Sequence, residues 1–151
     1  MIDISKIDKN VLDKLYSAGW KESRICDTAD ECIRQLIDNK GYYVFEYAYE
    51  IIKSFEGISF SFSKCEIEQL GIVSYFGDIE FSVKGYGVDT VMSAEDYQDK
   101  YPEAVVPFGA VNGQVILFVG ESKTIYADTG NEYEVLGIGI EDFLNKCVKY
   151  K

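Results

Sequence analysis

Val105-Val106-Pro107-Phe108-Gly109-Ala110-Val111-Asn112-Gly113-Gln114-Val115-Ile116-Leu117-Phe118-Val119 is a pair of apolar runs joined by Asn-Gly, and the joint decides the fold class. Asn and Gly tolerate the positive φ angles of a type I′ turn, whose twist matches that of two paired strands. Residues 105–111 are therefore expected to fold back on 114–119 as an antiparallel hairpin. Downstream, Thr124 to Ala127 and Glu132 to Leu136 flank Asp128-Thr129-Gly130-Asn131, a second hairpin with a longer loop. Beyond it Ile140, Phe143, Leu144, Cys147 and Val148 fall on one helical stripe, with Lys146, Lys149 and Lys151 near the end where cations suit the helix dipole.

Upstream of the hairpin the apolar period is 2. Ile58, Phe60 and Phe62 alternate with Ser59, Ser61 and Ser63, and Ile79, Phe81 and Val83 alternate with Asp78, Glu80, Ser82 and Lys84. That alternation marks a sheet with one wet face. Ile72 to Phe76 reads as a further extended piece, and Ser93-Ala94-Glu95-Asp96 as a capping box opening a short polar helix before Pro102. Further upstream the period becomes helical. Ile7, Val11, Leu15 and Ala18 form one stripe, closed by Gly19 as a left-handed cap. Ala29, Cys32, Ile33, Leu36 and Ile37 form a second, with Asp27 or Thr28 as its N-cap, and Val44, Ala48, Ile51, Ile52 and Phe55 form a third that runs to Gly57. The order predicts an α+β fold, an antiparallel meander sheet packed by N-terminal helices and one C-terminal helix.

At 151 residues, with 47% apolar and 15% aromatic content and only two prolines, the chain has the size and composition of one ordered domain, expected over 1–151. Four cysteines stand in no CxxC pair, so Cys26, Cys32, Cys65 and Cys147 are read as free thiols, Cys32 and Cys147 as core packing. Met1 to Asn10 alternates charged and apolar residues, and no stretch approaches a membrane span, so a cytoplasmic place is expected.

The sequence contains no histidine. That removes Ser-His-Asp triads, Cys-His pairs and histidine zinc helices, and leaves the remaining cysteines without the partner that activates a thiolate. Gly85-Tyr86-Gly87 and Gly137-Ile138-Gly139 each have half of a dinucleotide fingerprint but lack the third glycine and the βαβ setting, so they read as turns. No metal or other cofactor is expected. Carboxylate pairs such as Glu66/Glu68 or Glu95/Asp96/Asp99 have the chemistry for acid and base work, yet close pairs follow from 26 acids alone.

The net charge of −11 has the wrong sign for phosphates, which argues against nucleic acid and anionic membranes as partners. It is also uneven. Residues 66–103 hold nine acids against two lysines, a local charge of −7, among Tyr75, Phe76, Tyr86, Tyr97 and Tyr101. A solvated, solubilising face accounts for the charge on its own. The functional reading is a surface that steers a basic partner and anchors it with rings.

Leu15-Tyr16-Ser17-Ala18-Gly19-Trp20 followed by Arg24 resembles the opening of the SUKH immunity-protein superfamily, specifically its third subfamily. Ile51 to Ile58 is similar to the family's helix ending in a Phe-Gly-Gly-Leu-like turn, with Glu56 where a glycine is usual. Val106-Pro107-Phe108-Gly109, Leu117-Phe118-Val119, Ile125-Tyr126 and Leu136-Gly137 before Phe143-Leu144 resemble its closing strands and helix in order and spacing. The resemblance runs from about Val11 to Val148 and is weakest over 64–103. It implies a SUKH-like α+β domain that binds and neutralises a cognate toxin, commonly a nucleic-acid-directed enzyme, without catalysis.

The expectation is thus a cytoplasmic immunity protein that occludes a toxin with a basic surface, with Asp78, Glu80, Tyr86, Glu95, Asp96, Asp99 and Tyr101 as partner contacts. Trp20, Phe55, Pro107, Gly109, Tyr126 and Phe143 are expected as core or turn positions. An intracellular protein-binding scaffold or regulatory module of the same fold is the alternative, and a carboxylate-dependent hydrolase a third reading. The oligomeric state is left open by the sequence.

Overall fold

The computed structural model describes residues 2–62, 65–67, 72–74, 77–83, 93–97 and 99–148. After a 3-10 turn (Ile4–Lys6), three helices follow, α1 (Lys9–Ser17), α2 (Ala29–Lys40) and α3 (Glu46–Phe55). Next come strands β1 (Ile58–Phe62), β2 (Cys65–Ile67), β3 (Ile72–Ser74) and β4 (Gly77–Phe81), and a one-turn helix α4 (Ala94–Tyr97). Strands β5 (Val105–Val111), β6 (Val115–Gly120), β7 (Thr124–Asp128) and β8 (Tyr133–Ile138) lead to helix α5 (Ile140–Val148). The fold is α+β: an antiparallel sheet in the order β1-β4-β5-β6-β7-β8, with β2 and β3 as a separate ribbon.

The stripes do what their spacing requires. Val11 and Leu15 of α1, Ala29, Cys32, Ile33 and Leu36 of α2, and Ala48, Ile51, Ile52 and Phe55 of α3 are buried, as are Ile140, Phe143 and Leu144 of α5. Ile37 is the departure, 46% exposed at the end of its stripe. Gly19 takes φ +97 after α1, and Trp20 N–H bonds Leu15 O at 2.9 Å, the left-handed closure anticipated. Thr28 holds the N-cap position of α2 but its side chain accepts no cap bond from the first-turn amides and pairs with Cys26 instead.

A row of rings ties the helices to one face of the sheet. Trp20 stacks on Phe55 at 5.4 Å, Phe55 on Phe81 at 4.7 Å and Phe81 on Phe108 at 6.0 Å, and Phe108 meets Phe143 edge-on. Such pairs add to area burial because ring quadrupoles favour offset and edge contacts. Around this row the motif residues become structural: Trp20 Nε1 donates to Ser54 Oγ, and Arg24 clamps the carbonyls of Ser54 and Glu56, both at 2.7 Å. Glu56, in the glycine position, is buried and accepts Val83 N–H at 2.7 Å. Its carboxylate thus satisfies a backbone donor just past the end of β4.

The Asn-Gly joint forms as expected. Asn112 and Gly113 have φ of 53° and 65°, and Gln114 N–H bonds Val111 O at 3.1 Å. Asn112 also binds β4 through both its amide nitrogen and its side-chain oxygen, at 2.8 Å each to Asp78 backbone atoms. Register slips between Pro107 and Gly109, leaving Phe108 as the extra residue of a bulge.

The expectation of one wet sheet face holds only at β1 and β4. Ser59, Ser61, Asp78 and Glu80 are exposed there, and their strand neighbours Ile58, Ile79 and Phe81 are buried. β5 and β7 are buried along their whole length and β6 nearly so. The second cover is the segment from Ser93 to Ala104.

Candidate functional site

Pairing registers place Asp78 and Glu80, the two expected contacts that lie on a strand, on one side of the sheet. Glu80 lies opposite Ala110, Ala110 opposite Ile116, and Ile116 opposite Asp128. These four side chains therefore share a face with Phe118 and Tyr126, and that face is opposite the Trp20-to-Phe143 row. Helix α4 and the residues after it lie on this outer face: Tyr97 meets Phe118 at 4.8 Å, and Tyr101 meets Phe118, Tyr126 and Tyr133 at 5.4, 5.0 and 4.5 Å.

Three side chains fasten the segment, Lys100, Tyr101 and Glu103. Tyr101 Oη donates to Asp128 Oδ2 at 2.5 Å, and Lys100 Nζ reaches Asp128 at 2.8 Å and Gly130 O at 3.1 Å. Glu103 accepts Tyr126 Oη, Ser122 Oγ and Ser122 N–H at 2.6 to 2.7 Å. Burial above all, then the bond to Asp128, pushes the Tyr101 phenol far above its usual range. Burial works to raise the Glu103 carboxyl as well, but the bonds from Tyr126 and Ser122 outweigh it and hold the group below the usual glutamate range.

Five of the seven expected contacts, Asp78, Glu80, Glu95, Asp96 and Asp99, are exposed, the first two on β4 and the others on or just after α4. Asp78 accepts Ser61 Oγ at 2.5 Å and Asp96 accepts Ser93 Oγ at 2.9 Å, so Ser93 and Asp96 join side chain to side chain in place of the reciprocal backbone bonds of a capping box. Tyr101 is corrected: it is 6% exposed and belongs to the core, because the rings of Tyr97, Phe118, Tyr126 and Tyr133 and the Asp128 carboxylate surround it. Tyr86 lies outside the described residues, as do Tyr75, Phe76 and Gly85-Tyr86-Gly87. Among the described residues no group of three carboxylates or thiols is arranged to hold a metal. Cys26 and Cys32 are free thiols, Cys32 in the core.

Beside α4 lies an open groove of about 650 Å³ whose walls are the α2–α3 connection, Lys40 to Tyr43, and the Ser93-to-Val105 segment. Tyr43, absent from the sequence-derived contacts, stands 63% exposed on its rim and leans on Phe45 at 6.0 Å. Burial, followed by the charges of Asp128 and Asp96, raises Tyr97; Tyr42 is raised by burial, then by Tyr97 and the same two acids. Both phenols stay neutral. The sequence offers no local signal for Tyr43: of the two tyrosines after the helix-stopping Gly41, Tyr42 is buried and Tyr43 exposed.

Two of the sequence motifs thus have structural roles: Gly19-Trp20…Arg24 clamps the end of α3, and Pro107-Phe108-Gly109 forms the bulge against β4. The chain matches the SUKH-3 immunity protein family over residues 7–150. It belongs to that family. Comparison with curated proteins and with solved structures returned no match. SUKH-3 membership supplies an immunity role, hence a toxin as the partner. No helix among the described residues is long and apolar enough to cross a membrane.

Proposed function

We propose that this SUKH-3 protein works in the bacterial cytoplasm by capping the basic cleft of a nucleic-acid-directed toxin, and that it performs no reaction itself. The supporting observation is the exposure of Asp78, Glu80, Glu95, Asp96 and Asp99 on the side of the sheet away from α3 and the Trp20 row. A negative surface of that extent accelerates encounter with a positive one, and a site that grips phosphates is positive by necessity. Occlusion then needs only shape and residence time.

Co-expression with a toxin-type reading frame from the adjoining gene tests this. Growth rescue, together with a pull-down that weakens as salt rises, is the expected result. No rescue and no complex, or the lack of any such neighbouring frame, would favour the scaffold reading.

A further inference from the structure

We infer that the groove between Lys40–Tyr43 and Ser93–Val105 receives an arginine side chain from a basic loop of the partner. The inference rests on the toxin-binding role proposed above and gives it a specific anchor point.

Three observations meet at this groove. Tyr43 offers an exposed ring face on the rim, held by its contact with Phe45. Glu95 lines the groove and is exposed, with Asp96 next to it, so a cation entering over Tyr43 has a carboxylate within the same opening. Tyr97 is 5% exposed and lines the groove beside Glu95. A phenol lining such an opening supplies ring surface against which a planar guanidinium can pack. Guanidinium suits the place better than ammonium, because it stacks on rings and donates in several directions at lower desolvation cost. The other groove carboxylate, Glu103, is committed to Ser122 and Tyr126 and serves as wall. Lys40 is the one basic side chain among the described lining residues, and it opposes the proposed ligand.

That opposition gives the test a sign. A fluorescein-labelled arginine–glycine peptide is titrated with the full chain by anisotropy, beside lysine–glycine and glutamate–glycine versions. The arginine peptide should bind more tightly than the lysine one, and the glutamate one not at all. Tyr43→Ala and Glu95→Gln, both at exposed positions, should each weaken binding by about fivefold. Lys40→Gln should tighten it by about twofold, and the double change Asp78→Asn with Glu80→Gln, outside the groove, should shift it by less than about twofold in physiological salt. Equal weakening by the β4 pair and the groove variants would mean a diffuse field and overturn the groove. So would a preference for the glutamate peptide, an inert Tyr43→Ala, or no binding of the arginine peptide. Growth rescue by the same chain separates the two readings: rescue without peptide binding rejects the groove alone, and groove binding without rescue rejects the immunity reading alone.

Discussion

Glu103 shows how one acid of an acidic segment becomes structural. It accepts three hydrogen bonds from Ser122 and Tyr126, and its carboxyl fills the space beside Gly120, where an added Cβ would collide with it. Its folded-state pKa is depressed, so its contribution is complete above the ordinary glutamate value of about 4.5 and is lost as pH falls through the folded value. Wild-type stability, followed by urea unfolding from pH 6 downward, should therefore fall below that point more steeply than in Glu103→Gln. At neutral pH the variant should cost about 1 kcal/mol, a figure kept small because water reaches this half-buried site. Asp128 is more committed still, 3% exposed between Lys100, Tyr101 and the Gly130 amide. Buried ionised acids survive only with partners of this kind.

At the scale of elements the bulge in β5 sets a sharp requirement. A Cβ on Gly109 would stand 2.5 Å from Glu80 O, a backbone atom held by the β4–β5 pairing. Gly109→Ala should lower stability by about 2 kcal/mol or more, read as a lower urea midpoint with unchanged slope; an unaltered midpoint would mean that β4 shifts freely. Elements with local signatures were legible: helical stripes, the Asn112-Gly113 turn, the alternation in β1 and β4, and the short α4. Each is written within a dozen residues. The double burial of β5 to β7 was not read, although Val105-Val106-Pro107-Phe108 and Ile116-Leu117-Phe118-Val119 are unbroken apolar runs of the kind that marks a strand covered on both sides. Tyr101 misled for the same reason. Its burial depends on Asp128 and Phe118, distant in sequence, whereas its local setting among acids resembles a wet surface. Tyr43 escaped notice because its exposure depends on the turn after Gly41 projecting beside α4.

For the whole molecule, the two faces of the sheet divide the work. One is sealed by α3, α5 and the ring row and gives the fold its rigidity; the other carries α4, whose Tyr97 is buried against Phe118 and whose Glu95 and Asp96 are exposed. On the proposed reading, stability and partner capture rest on different atoms of the same short segment, so they should respond separately to mutation. Asp96→Lys with Asp99→Lys changes the net charge by +4 at exposed positions, where the described contact at stake is the Ser93–Asp96 bond. Thermal midpoint should move little, since surface changes of this kind stay within about 0.5 kcal/mol. Association with the toxin, followed by stopped flow at low salt, should slow by about tenfold while dissociation changes far less. The difference should shrink near 0.15 M salt, where the screening length is about 8 Å and only the closest charges still steer. An on-rate indifferent to the reversal at every salt concentration would reject the α4 acids as the steering patch, whatever covers the groove beside them.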